Sequence, residues 1–197
     1  MSLRERKKAH TREVLVGTGL GLFTRRGFGA VTLDELCAAT DTSKRTFFRY
    51  FASKEDLALE PLHFLWRRFL IDLQAAEPRD VPLLELLRDT LEQALRTMPQ
   101  PEWQAQALAS QQLIEATPSI RAHGLEFCDN TTRQSLALLA ARYGFDQPTD
   151  PRPRLCLNLL VAAFDWAREQ WAAEPAAADL DRLIALVHVA VVSPDLR

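Results

Sequence analysis

Residues 32–54 constrain this chain more than any other stretch, because they hold two short amphipathic segments joined by three polar residues. Thr32 can cap the first segment, and Glu35, three residues on, completes a capping box. Leu33 and Leu36 supply a small apolar face. Thr40-Asp41-Thr42 then stops the helix, since short polar side chains compete for backbone hydrogen bonds. Ser43 caps a second helix, predicted to run to about Phe51. Phe47 and Phe51 are four apart and share one face, while Lys44, Arg45 and Phe48 point elsewhere. A helix held by one apolar face, with cations and hydroxyls at its exposed start, suits the major groove of DNA. The segment reads as a helix-turn-helix. The plainer alternative is two helices of an ordinary bundle with solvated charges.

Charge distribution favours the first. Residues 1–54 hold 11 Lys/Arg against 5 Asp/Glu, leaving 13 against 21 for residues 55–197. The net charge of −2 hides this split. A basic end suits a polyanion, and an acidic remainder argues against nucleic acid wrapping the whole protein.

The 197 residues allow one moderate domain or two small ones sharing a helix, and 47% hydrophobic content suffices for a core. The sequence has no run of eighteen apolar residues and no signal peptide at its start, so a soluble cytoplasmic protein is expected. Cys37, Cys128 and Cys156 are odd in number, widely spaced and outside any metal or redox motif, which favours buried thiols.

Every longer periodic segment reads as a helix, for an all-α chain of about nine. The first spans 4–26, with Val14, Leu15, Leu20, Leu22 and Phe23 on its apolar face and Gly27 as its stop. Gly17, Gly19 and Gly21 each cost roughly 1 kcal/mol against Ala inside it and suggest a closely packed neighbour. A long helix is expected from Ser53 to about Ala76, kinked near residues 57–61 because Pro61 has no N–H to give Leu57. Helices at 82–98, 102–116 and 118–143 follow. After a Pro-rich loop at 146–153, the last pair is expected at 154–173 and 176–192. These divide into a DNA-binding domain at 1–54 and an effector-binding and dimerisation domain at 55–197.

Enzymatic chemistry finds little support. Glu60-Pro61-Leu62-His63 has the Glu-x-x-His spacing of a di-iron helix, but no second copy accompanies it. His10, His123 and His188 are isolated from other ligand types, and no phosphate loop or nucleophile motif is present. No enzyme activity, cofactor or metal is expected.

The chain resembles the TetR-type one-component regulators of bacteria. The resemblance rests on Gly27-Phe28-Gly29-Ala30-Val31-Thr32-Leu33-Asp34-Glu35-Leu36, on Ser43-Lys44-Arg45-Thr46-Phe47-Phe48-Arg49-Tyr50-Phe51, and on Ser53-Lys54-Glu55-Asp56-Leu57. It covers about the first quarter of the chain. The family usually carries a small residue, Gly and a hydrophobic residue in the turn, where this chain has Thr40, Asp41 and Thr42. Asp tolerates the left-handed conformation which that Gly position needs. The C-terminal region is also similar to regulators of the mycofactocin type, around Pro118-Ser119-Ile120-Arg121 and the final helix pair. Some of those sense acyl-CoA thioesters.

Site residues follow from both sources. Lys44, Arg45 and Thr46 occupy the first turn of the second helix, capped by Ser43. Arg45 is the expected guanine reader, because its fork matches O6 and N7. Lys44 serves a base or a phosphate, and Thr46 a thymine methyl or a backbone oxygen. The resemblance places Phe48 and Tyr50 close to phosphates. Thr32 and Lys54, at two helix starts, are expected to clamp the backbone. Arg4, Arg6, Lys7 and Lys8 form an arm that either adds affinity or merely solvates the end.

Beyond these, Trp66, Phe69, Trp103, Phe127 and Trp166, with Gln111 and His123 interleaved, line a cavity or simply build the core. The resemblance implies a repressor released from operator DNA by a small, largely apolar effector, an acyl-CoA or another hydrophobic molecule, and acting as a homodimer. A helical carrier or enzyme using the same cavity, and an architectural DNA-binding protein without an effector, are the alternatives from other classes. The subunit seam is expected on Leu155, Leu159, Ala163 and Trp166 of one helix and Leu180, Leu183, Val187 and Val191 of the next.

Overall fold

The computed structural model describes residues 3–77, 80–145 and 149–192. These form ten α-helices and no strand: α1 (Leu3–Arg26), α2 (Leu33–Ala39), α3 (Lys44–Phe48), α4 (Lys54–Ala58), α5 (Glu60–Ala75), α6 (Leu83–Arg96), α7 (Glu102–Ala116), α8 (Pro118–Tyr143), α9 (Arg152–Ala173) and α10 (Leu180–Val192). Residues 146–148 of the expected Pro-rich loop lie outside the described residues. Among the boundaries that move, three change the reading. The second helix of the reader pair ends at Phe48, and Arg49-Tyr50 is a turn. Pro175–Ala177 forms a single 3-10 turn, so the last helix starts at Leu180. The helix expected over 53–76 is divided at Leu59, which gives ten helices in place of nine.

That division follows from Pro61. Its ring and missing N–H are incompatible with a continuous helix through Leu57. Leu59 ends α4 with its N–H on the Glu55 carbonyl (3.0 Å), and the Leu62 N–H turns to the Leu59 carbonyl (3.0 Å).

The helices group into two compact units, one of Met1–Leu62 with Ala105–Leu125 and one of His63–Gln104 with Glu126–Arg197. In the first, α1 buries Leu15, Val16, Leu20 and Phe23, while Phe47 and Leu57 of the short helices and Phe51 between them are fully buried. Burying each such side chain contributes about 1.5–3 kcal/mol. Of the three glycines of α1, only Gly19 is required by packing. A Cβ there would lie 2.6 Å from Leu57 Cδ2, so α4 can approach α1 only over a glycine. Gly27 ends α1 at φ 85°, with its N–H on the Phe23 carbonyl (2.9 Å).

In the second unit α10 packs on α9, and α6 on both. Leu86, Leu87, Leu91 and Leu95 recur at helical spacing and form the buried face of α6. Trp171 is fully buried, with its indole N–H donating to the Asp179 carbonyl at 2.8 Å. Leu183, Val187 and Val191, expected at a subunit seam, are packed inside the chain, because α10 turns that stripe toward α9 and α6, and Ala163 of α9, expected at the same seam, is buried as well. Leu155, Leu159 and Trp166 are instead 63%, 40% and 41% exposed.

Candidate functional site

The reader pair is built by caps. The Thr32 hydroxyl accepts from the Glu35 N–H (3.2 Å), and the Glu35 carboxylate accepts from the Thr32 N–H (2.8 Å), which is a complete capping box. Arg26 adds an ion pair to Glu35 at 2.6 Å. Chiefly through the Thr32 backbone bond, this carboxyl is held down at about 2. The turn closes as its sequence requires. Asp41 takes φ 48°, the left-handed geometry that a glycine would adopt without strain, and the Thr40 and Thr42 hydroxyls bond to each other at 2.9 Å. The Ser43 hydroxyl then accepts from the Thr46 N–H (3.1 Å) and starts α3.

The two faces of α3 differ sharply. Phe47 is fully buried, whereas Lys44, Arg45 and Phe48 are exposed, Phe48 by 56%. Lys44 pairs with Asp34 of α2 at 2.8 Å, and that hydrogen bond raises the Lys44 pKa. Thr46 and Tyr50 are partly exposed, and the Arg49 guanidinium lies over the Tyr50 ring at 5.2 Å. Lys54 is turned inward. Its ammonium donates to the Val31 (2.6 Å) and Phe28 (3.2 Å) carbonyls and sits 4.6 Å from the Phe28 ring centroid.

The basic residues Arg4, Arg6, Lys7 and Lys8, expected as an arm, lie within the helix α1. Arg4, Lys7, Lys8 and Thr11 line one groove with Arg49 and Tyr50. Their i, i+3, i+4, i+7 spacing was the available signal. Arg12 makes a bidentate ion pair with buried Glu60 (2.5 and 2.6 Å) and lies over Phe51. Burial opposes charging Arg12, but the Glu60 hydrogen bond and charge outweigh it, so the pKa is raised. Glu60 is thereby committed to an arginine, and no cluster of metal-ligating side chains occurs among the described residues.

The second unit contains a cavity. Trp66 meets Phe69 and Phe164 edge-on, with centroids 5.2 and 5.5 Å apart, and Phe127 stacks on buried His63 at 3.7 Å. Trp66 and Phe127, with Cys128, Thr131, Ser135 and Leu157, line a slot of about 10 Å³, room for one water. Cys128, Thr132 and Val161 also border an outer groove of about 330 Å³, whose polar lining includes Arg154, Asn158 and Asp129. Burial pushes the Cys128 thiol up. Of the expected cavity residues, Trp66 and Phe127 come together at the slot. Phe69 and Trp103 are core, and Trp166 is at the surface. Gln111 and His123 belong to the other unit, where Gln111 is buried and donates to Glu115 at 2.7 Å.

Comparison with known proteins places this arrangement in a defined class. Residues 15–60 match the family described as bacterial regulatory proteins, tetR family, and residues 81–193 match the MftR C-terminal domain. The chain is 30% identical over 173 residues to the HTH-type transcriptional regulator TcmR of Streptomyces glaucescens, covering 86% of this chain and 76% of that protein. Among solved structures, Salmonella enterica GusR aligns at 18% identity and a TM-score of 0.45, covering 91% of this chain and 93% of that one. A gamma-butyrolactone receptor described as ArpA-like aligns at 22% identity and a TM-score of 0.39, covering 93% and 97%. The chain belongs to the TetR family of DNA-binding transcriptional regulators. Its C-terminal part is of the MftR type.

Proposed function

We propose that this regulator is a homodimeric repressor that leaves its operator when a small, largely apolar molecule enters the slot beside Trp66. The division into a reader domain at 1–54 and an effector and dimerisation domain at 55–197 belongs to the same proposal. The observation that carries the repressor's DNA side is α3, whose buried Phe47 fixes it while Arg45 and Phe48 face solvent. Arg45 reads a guanine, Lys44 exchanges Asp34 for a phosphate or base, and Thr46, Phe48 and Tyr50 border the backbone. Ser43 acts by starting the helix. Thr32 acts the same way at α2, since its own N–H is taken by Glu35.

On the effector side, a mostly apolar slot that shares Cys128, Thr132 and Val161 with a groove holding Arg154 and Asn158 supports a ligand with an apolar body and a polar end. An acyl-CoA or another hydrophobic molecule meets that description. The test is a gel shift on operator fragments selected from random duplexes, followed by titration with fatty acids, acyl-CoAs and polycyclic aromatics. Release of DNA by an apolar compound is expected. If selection enriches no sequence, the operator-binding regulator is overturned, and if no apolar compound moves the equilibrium, the effector half fails.

A further inference from the structure

We propose that the groove between the first turns of α1 and the Arg49-Tyr50 turn seats a run of DNA backbone phosphates, a second contact beside the reader helix. The inference rests on α3 as that reader.

Arg4, Lys7, Lys8 and Thr11 fall on one face of α1, and Arg49 and Tyr50 close the groove from the other side, around about 640 Å³. No carboxylate is among the lining residues. Four other cations of the same unit are compensated: Arg12 by Glu60, Arg26 by Glu35, Lys44 by Asp34, and Lys54 by two carbonyls. Arg4, Lys7, Lys8 and Arg49 are exposed and form no ion pair among the described residues. Four like charges around one groove repel, and a regular row of anions removes that repulsion. Arg forks and Lys ammonium groups suit phosphate oxygens, and the Tyr50 hydroxyl adds a donor.

Position selects duplex DNA over a small anion. Arg49 directly follows Phe48, the last residue of α3, so the groove continues the surface of the reader helix. A duplex whose major groove receives α3 therefore has phosphates at hand for it. Residues 3–14 precede the segment matched by the family, 15–60, so this contact extends the footprint with sequence outside that segment.

The test uses the full chain and a labelled 40-base-pair mixed-sequence duplex, with affinity measured between 50 and 200 mM salt. Each neutralised phosphate adds about 0.9 to the slope of log affinity against log salt. With Arg4, Lys7, Lys8 and Arg49 all replaced by Gln, the slope should fall by about 3.6, so affinity drops about 150-fold less over that range. The Lys7→Arg/Lys8→Arg variant should keep the wild-type slope. A wild type that binds the duplex with a slope unchanged in the Gln variant overturns the proposal alone. A wild type that binds no duplex overturns the reader assignment with it.

Discussion

Ser110 Oγ donates a 2.7 Å hydrogen bond to the carbonyl of Ala58, the last residue of α4. Within the same unit, this side chain from α7 supplies a donor where the helix break leaves a carbonyl short of one. A buried carbonyl left without a donor costs about 1–3 kcal/mol, so Ser110→Ala should lower the thermal midpoint by several degrees. Pro61→Ala restores an N–H for Leu57 and should straighten the joint. α5 carries both Glu60, tied to Arg12, and Trp66, at the slot. Pro61→Ala should therefore alter the effector's influence on DNA affinity more than effector affinity itself. Unchanged affinities and coupling would show that the joint has no regulatory part.

Arg45 and Lys54 should separate cleanly in a binding titration. Arg45→Ala is expected to cost about 1–3 kcal/mol of specific affinity and relax one base position per half-site, with no loss of stability. Lys54→Ala removes two charge-assisted bonds to the Phe28 and Val31 carbonyls. It should destabilise the unit by about 1–3 kcal/mol and weaken all duplexes alike through that loss. A stable Lys54→Ala protein with weakened binding would instead make Lys54 a direct backbone contact.

The reader pair is legible in the sequence because its determinants are local. The caps at Thr32, Ser43 and Ser53, the left-handed Asp41 and the stop at Gly27 each involve residues a few positions apart. The break after α4 is legible for the same reason, from Pro61 alone. Contacts between distant segments are not. Nothing in the spacing of Ser110 marks it for Ala58, or Lys54 for Val31, and an apolar stripe such as Leu183, Val187, Val191 looks the same whether a subunit or its own chain covers it. The cavity divides likewise. Trp66 and Phe69 are three apart on one helix, yet Trp66 reaches the slot and Phe69 is fully buried core.

The capping box predicts an acid response. The Glu35 carboxyl is held at about 2 against an ordinary 4.5, so its contribution is complete above pH 4.5 and is lost as pH falls toward 2. Glu35→Gln should melt below wild type at pH 6, and the gap should close between pH 4.5 and 2. A gap independent of pH would mean that the charge of Glu35 adds nothing to the helix start.

The slot predicts a size response. With room for about one water, it admits an apolar ligand only by displacing its walls. Leu157→Ala removes a buried side chain from the lining, should cost about 2–5 kcal/mol of stability, and should tighten binding of a bulky apolar compound. Thr131→Leu should block the slot and abolish the response while leaving DNA binding intact. Calorimetric titration of the compound reads its binding, and a gel shift reads the release of DNA. Release of DNA by the same compound in Thr131→Leu would move the effector site elsewhere.

The exposed stripe of α9 predicts the assembly. Leu155, Leu159, Ala162 and Trp166 recur at helical spacing on the solvent side of the helix, and α10 adds Val189, 59% exposed. Single exposed apolar residues are ordinary, but a stripe on adjacent C-terminal helices is the pattern of a covered surface. A two-fold partner presenting the same stripe would bury it as a four-helix seam and bring a second α3 to the neighbouring half-site, about 34–36 Å away or a multiple of that turn. Leu159→Glu places a charge in the middle of the stripe without touching the intrachain core. It should convert a dimer to a folded monomer in sedimentation at micromolar concentration and sharply reduce operator affinity, since one reader helix binds alone. A wild type that sediments as a monomer, or a Leu159→Glu protein that remains dimeric, would place the subunit contact on another face.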